Sequence, residues 1–132
     1  MIKYVRGGHY SHHFDSSREN NDTETYGNRI ATFMGIFTTA EEGGGKSVFG
    51  TRYHILATIF PNIGVTVVHS PGDAMLWFNL NPKYQTHQLS IHAGCPIYKG
   101  TKIGLTLWVR SKGQELRSLC PIETSSAFDY FI

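Results

Sequence analysis

Long apolar runs are missing from this chain. No stretch approaches the ~18 apolar residues of a membrane-crossing helix. The opening residues, Met1-Ile2-Lys3-Tyr4-Val5-Arg6-Gly7, do not build the apolar core of a signal peptide. An excess of charge of one sign is missing too. The 132 residues hold 12 basic and 10 acidic side chains, a formal net charge of +2. That field is too weak to pull the chain toward nucleic acid or an anionic surface. Cysteine is limited to Cys95 and Cys120, and the seven histidines fall into no zinc-finger pattern. There is no Gly-x-Ser-x-Gly elbow, no internal repeat and no low-complexity tract. The run Gly43-Gly44-Gly45-Lys46-Ser47 looks like part of a phosphate loop. It lacks the rest of the Gly-x-x-x-x-Gly-Lys-Ser spacing, and no helical pattern follows it.

No amphipathic helix of ~10 or more residues can be drawn. Strand signals are frequent instead: 9–14, 29–37, 46–49, 53–60, 65–69, 74–79, 86–92 and 102–110 are rich in aromatic and β-branched residues. Pro61-Asn62, Ser70-Pro71-Gly72-Asp73 and Asn81-Pro82 punctuate them. Many short strands between turn signals predict an all-β sandwich or barrel with few or no helices. The length suits one domain with a sizeable core. The polar stretch 16–26 reads as an exposed loop.

Against this background His13-Phe14-Asp15 stands out. Residues two apart on a strand point the same way, so an imidazole and a carboxylate can meet at one point. A second histidine from a distant strand, His92, would complete two imidazoles and one carboxylate on one face of a metal. That set leaves positions open and suits non-haem Fe(II). Lys102, ten residues after His92, can supply a fixed positive charge. His12 competes with His13, but on a strand it faces away from Asp15. The plainer alternatives are a strand-face ion pair for His13 and Asp15, a core histidine for His92 and a solvent-exposed lysine for Lys102.

An ordered series of motifs extends these residues over nearly the whole chain. It includes Gly7-Gly8-His9-Tyr10-Ser11-His12-His13-Phe14-Asp15, Gly27-Asn28-Arg29-Ile30-Ala31-Thr32-Phe33 and Gly44-Gly45-Lys46-Ser47-Val48-Phe49. Phe60-Pro61-Asn62-Ile63-Gly64 and Pro71-Gly72-Asp73-Ala74-Met75-Leu76-Trp77-Phe78-Asn79-Leu80 follow. His92-Ala93-Gly94-Cys95-Pro96-Ile97, Gly100-Thr101-Lys102 and Lys112-Gly113-Gln114-Glu115-Leu116-Arg117-Ser118-Leu119-Cys120 close it. The series resembles the catalytic domain of the collagen-type prolyl 4-hydroxylases, which are 2-oxoglutarate and Fe(II) dioxygenases. The third motif is similar to a Gly-Gly-Ala-Thr-Val-Phe element of that family.

The resemblance implies a double-stranded β-helix, a jelly roll whose open mouth holds the iron. It implies His13, Asp15 and His92 as metal ligands, with Lys102 meeting the far carboxylate of 2-oxoglutarate and Tyr4 and Ser47 beside it. Tyr10, Arg29 and Trp108 match positions near the peptide. For these three, core aromatics and a surface charge are the open alternative. The expected activity is hydroxylation of peptidyl proline in procollagen or another proline-containing peptide, with ascorbate as an accessory. Protein disulfide isomerase is the implied partner, the endoplasmic reticulum lumen the implied location, and Cys95 to Cys120 the implied disulfide. Without an oxidising compartment, the cysteines are free buried thiols. Asn21-Asp22-Thr23 is a glycosylation sequon.

Departures from the family pattern set the competing expectations. His9 replaces Gln, Ile103 replaces Trp, and Arg110 stands where the family usually has His. Residues between Val48 and Phe60 look like an insertion of about a dozen. The chain opens at the metal-binding strand, so residues 1–132 are expected to form one dioxygenase domain lacking the usual N-terminal part. The competing readings are a catalytically impaired jelly-roll module with a binding or assembly role, and a hydroxylase of a different peptide.

Overall fold

The computed structural model describes residues 1–17, 21–43 and 57–113. Ser47, Cys120, the expected strand 46–49 and most of the insertion lie outside the described residues. The described chain runs β1 (Ile2–Tyr4), β2 (Tyr10–His13), α1 (Asn21–Tyr26), β3 (Arg29–Thr38), β4 (Glu42–Gly43) and β5 (Ala57–Phe60). It continues through β6 (Val65–Val68), β7 (Ala74–Phe78), β8 (His92–Gly94), β9 (Ile97–Lys99) and β10 (Lys102–Arg110), with short 3-10 turns at Pro61–Ile63 and Gln88–Ser90.

Strands join two four-stranded sheets, ordered β1-β10-β3-β7 and β2-β8-β5-β6, plus the small pair β4-β9. Each observed pairing is antiparallel. Apart from the β5–β6 hairpin and the small β4-β9 pair, the chain alternates between the two large sheets, as in a jelly roll. The longest ladder, β3 with β10, runs from Ile103↔Thr38 to Arg110↔Arg29. Its period of two puts Lys102, Gly104, Thr106 and Trp108 on the face that looks into the space between the sheets. Leu105 and Leu107 alternate with them and are exposed.

The core lies between the sheets. Trp77 of β7 meets Phe60 of β5 edge-on, ring centroids 5.6 Å apart, and Ile36, Ala57, Ala93 and Ile97 are buried as well. Burying rings of this size is favourable at ~25 cal/mol per Å² of apolar surface.

The turn at Ser70-Pro71-Gly72-Asp73 behaves as its residues predict. Pro71 fixes one φ and Gly72 takes φ 94°, while the Asp73 amide donates to Ser70 O at 3.1 Å. The expected loop at 16–26 differs, because 21–26 is helical. Gly27, at φ 73°, ends that turn by donating its amide to Thr23 O at 2.9 Å. Six residues are too few to show a helical period. The expected strand 86–92 also differs. His87 Nδ1 accepts from the Leu89 amide at 3.3 Å, and Ser90 Oγ donates to His87 O at 2.8 Å. Such local bonds compete with a ladder, and only His92 onward is extended.

Candidate active site

The β2–β8 ladder builds the site. Tyr10 pairs with Gly94 and His13 with His92, with a register shift between the two pairs. Three steps on β2 therefore oppose two on β8, which is a β-bulge. The extra residue turns both Tyr10 and His13 to the inter-sheet pocket and leaves His12 exposed. β2 ends at His13, and Asp15 reaches the pocket from the bend just beyond it.

His13 Nε2 lies 3.5 Å from Asp15 Oδ1, and His92 Nε2 lies 3.7 Å from Asp15 Oδ2. One ligand atom from each of His13, Asp15 and His92 lies within 4.8 Å of the other two. Asp15 and His92 are buried and His13 is half-buried. The far ring nitrogens are held by backbone carbonyls, His13 Nδ1 at 2.7 Å from Ser11 O and His92 Nδ1 at 2.9 Å from Ser90 O. A carbonyl oxygen only accepts, so each Nδ1 carries the proton. In the neutral rings each Nε2 then presents a lone pair to the centre of the cluster, the arrangement a ligating imidazole needs. Two bare imidazole nitrogens and one carboxylate fit a divalent iron.

Electrostatics couple the three side chains. Burial alone would raise the Asp15 carboxyl, but hydrogen bonds from His13 and Thr32 and the nearby imidazoles outweigh it, and its pKa is lowered. His92 is lowered chiefly by burial, which overcomes the Ser90 carbonyl and the Asp15 charge. For His13, burial pulls down, yet the Asp15 bond, the Ser11 carbonyl and the Asp15 charge prevail and its pKa is raised. Thr32 Oγ1 donates to Asp15 Oδ2 at 2.7 Å, a partner that sequence reasoning missed.

Lys102 enters the same pocket from β10. It is 5 % exposed, and burial lowers its pKa. Among the described residues it forms no ion pair with a carboxylate. Its Nζ stands 5.8 Å from the centre of the half-buried Tyr4 ring, whose own pKa burial raises. A buried ammonium is stabilised by an anionic partner, and a carboxylate can meet it at this end of the pocket. Beside it Thr58 Oγ1 and His69 Nε2 lie 2.9 Å apart. Burial and the Lys102 charge press His69 down to about 4.

Thr58 is the second residue that sequence reasoning missed. The signal was available: Ala57-Thr58-Ile59-Phe60 follows the Ala-Thr-Val-Phe order more closely than Lys46-Ser47-Val48-Phe49 does. At the pocket mouth, Tyr10 is 48 % and Trp108 37 % exposed, so neither is a core aromatic. The Arg29 guanidinium carbon lies 3.5 Å from the Trp108 ring centroid. Arg110 serves elsewhere, donating to Gly27 O at 3.0 Å. Cys95 is half-buried and has no disulfide partner among the described residues, Cys120 lying outside them; burial raises its pKa against the opposing charge of Lys102.

Comparison with known proteins gives a consistent result. A model of the 2OG-Fe(II) oxygenase superfamily matches residues 1–110. Prolyl 4-hydroxylase subunit alpha-2 of Caenorhabditis elegans is 36 % identical over 127 residues, covering 93 % of this chain and 21 % of the relative. Prolyl 4-hydroxylase subunit alpha-3 of Homo sapiens is 34 % identical over 123 residues, 91 % of this chain and 20 % of the relative. This chain thus spans about a fifth of the curated relatives it matches. Among solved structures, the 2OG complex of a viral collagen prolyl hydroxylase from Paramecium Bursaria Chlorella virus-1 superposes with a TM-score of 0.63 at 26 % identity. That match covers 80 % of this chain and 53 % of the viral one.

Proposed function

The chain belongs to the 2OG-Fe(II) oxygenase superfamily, and on that premise we propose that it hydroxylates peptidyl proline using Fe(II) and 2-oxoglutarate, the cofactors of the family. The observation that carries the reading is Lys102. A buried cation lacking a carboxylate partner among the described residues shares one pocket with His13, Asp15 and His92. The relatives' names, prolyl 4-hydroxylase subunits and a collagen prolyl hydroxylase, support the substrate class.

In this reading His13 Nε2, His92 Nε2 and one Asp15 oxygen hold the metal. Bound together, Fe(II) and 2-oxoglutarate supply the oxidation, in which O2 is consumed, the co-substrate leaves as succinate and CO2, and proline gains a hydroxyl. Lys102 neutralises the far carboxylate of the co-substrate. Tyr4 and Thr58 wall that end. The sheets exclude water from it, which strengthens the charge pair. Tyr10 and Trp108 offer ring faces to a proline at the mouth, and Arg29, stacked on Trp108, is turned toward the same rim. Ascorbate is the accompanying reductant.

The endoplasmic reticulum lumen, protein disulfide isomerase as partner and a Cys95–Cys120 bridge belong to the same proposal and rest on the family resemblance. Peptide mapping of air-oxidised, non-reduced protein tests the bridge.

A 2-oxoglutarate decarboxylation assay with Fe(II) and ascorbate, with and without a proline-rich peptide, tests the function. Succinate production stimulated by the peptide, with hydroxyproline formed in it, is the expected result. Binding of iron and 2-oxoglutarate with no turnover on any proline peptide would favour the binding-module reading instead.

A further inference from the structure

Behind Asp15 stands a hydrogen-bonded chain that no ligand assignment uses. Thr32 lies on β3, between Trp77 of β7 and Trp108 of β10 in the ladders. Its backbone is therefore fixed on both sides. Thr32 and Asn79 are both 0 % exposed. Asn79 Nδ2 donates to Thr32 Oγ1 at 2.8 Å, and Thr32 Oγ1 donates to Asp15 Oδ2 at 2.7 Å. Asn79 is pinned in turn through its backbone, its N–H donating to Ile30 O and its main-chain carbonyl accepting from His87 N, each at 2.8 Å.

The direction of the chain is set by chemistry. An ionised carboxylate only accepts, so the single Thr32 proton goes to Asp15. The Thr32 oxygen must then receive, so Asn79 presents its NH2 group. A hydroxyl polarised by one bond makes a stronger second bond. The result is a carboxylate gripped at Oδ2 while Oδ1 faces His13. Removing the grip would let the carboxylate rotate away from the two imidazoles.

We propose that Thr32, directed by Asn79, is a positioning residue for the metal site: it fixes Asp15 in the orientation that meets His13 and His92. The inference rests on the reading of Asp15 as a metal ligand. Groups that orient a ligand typically contribute ~10–100-fold to metal affinity.

The test uses the full 132-residue chain and Co(II) alone, followed by calorimetry and by its visible absorption bands, with no turnover required. Thr32→Val keeps the shape and removes the hydroxyl. It should weaken Co(II) binding ~10–100-fold and alter the bands, while Thr32→Ser restores both. Asn79→Ala keeps the hydroxyl but removes the donor that directs it, and should weaken binding by less. Wild-type affinity in Thr32→Val overturns the proposal if Asp15→Ala has lost binding. If Asp15→Ala binds as tightly as wild type, the ligand assignment itself fails. Should Thr32→Val not fold, Asn79→Ala decides, and wild-type Co(II) affinity and bands in it overturn the proposal.

Discussion

His13 and His92 face each other directly across the β2–β8 ladder, ring centroids 4.3 Å apart. Residues distant in sequence thus become a fixed pair through strand pairing. A register slip of one residue would turn the whole histidine side of the site outward. The bulge between Tyr10 and His13 sets the phase, and Trp77 supports the ring of His92 from the opposite sheet at 4.8 Å.

That support gives a first prediction. Trp77 is 4 % exposed and touches both Phe60 and His92. Trp77→Ala should destabilise the fold by about 3–5 kcal/mol and also loosen His92, lowering metal affinity. Trp77→Phe should cost less. It retains most of the ring area and removes a buried indole N–H that has no hydrogen-bond partner among the described residues. Urea denaturation of the three proteins checks this order; equal midpoints would show that the ring does not hold the sheets together.

A second prediction concerns acid. His69 is buried and its pKa is lowered from 6.5 to about 4 by burial and the Lys102 charge. Between those values the unfolded chain binds a proton that the folded protein refuses. Stability from His69 is therefore complete above 6.5 and falls as pH drops toward about 4. Below that the contribution is lost and levels off. The loss is at most about 3 kcal/mol. His69→Gln, which cannot titrate, should show a shallower decline when urea midpoints are compared at about pH 7 and about pH 4.5. Parallel declines in the two proteins would remove His69 as the cause.

Much of this architecture is legible in the residues. The strands β3, β7 and β10 follow from β-branched and aromatic runs closed by Gly, Pro and Asn, and the family resemblance around His13, Asp15, His92 and Lys102 points at one pocket. What is hidden is hidden for physical reasons. The three-residue strands β1 and β9 are too short to show alternation. The bulge on β2 changes the facing of residues without leaving a sequence mark. Asp15 reaches the cluster from beyond the strand end, although a regular two-residue period was the reason to pair it with His13. Thr32 looks like any strand threonine, because its bonds go to residues 17 and 47 positions away. Thr58 was masked by the rival motif at Lys46-Ser47.

Trp108 should matter to the peptide and not to the co-substrate. It sits at the pocket mouth with Arg29 stacked on it. Cation–π stacking of a half-exposed pair is worth about 0.5–1 kcal/mol, and lost contact with a proline ring adds to that. Trp108→Ala should raise the KM for a proline peptide several-fold or more. Peptide-independent 2-oxoglutarate decarboxylation should stay near wild type. Steady-state kinetics on both substrates separate the two effects. A matching rise in the KM for 2-oxoglutarate would mean that the indole shapes the whole pocket.

Lys102 and Asp15 give the sharpest contrast, because they occupy one pocket and are assigned to different guests. Lys102 is buried with its charge unmatched by a carboxylate among the described residues, whereas Asp15 already faces two imidazoles. Lys102→Ala deletes one partner of a buried pair formed with the co-substrate. That costs about 3–5 kcal/mol, a loss of 2-oxoglutarate affinity of roughly a hundred- to several-thousand-fold. Iron affinity should stay nearly intact, since the metal is held by other side chains. Asp15→Ala should act in the opposite sense, removing a charged ligand and lowering metal affinity first. Titrating Fe(II) and 2-oxoglutarate separately, under anaerobic conditions, into both variants yields four affinities. A crossed pattern supports the assignments. Unchanged 2-oxoglutarate binding in Lys102→Ala would sink the role given to the lysine, because no other buried cation among the described residues lines that end of the pocket.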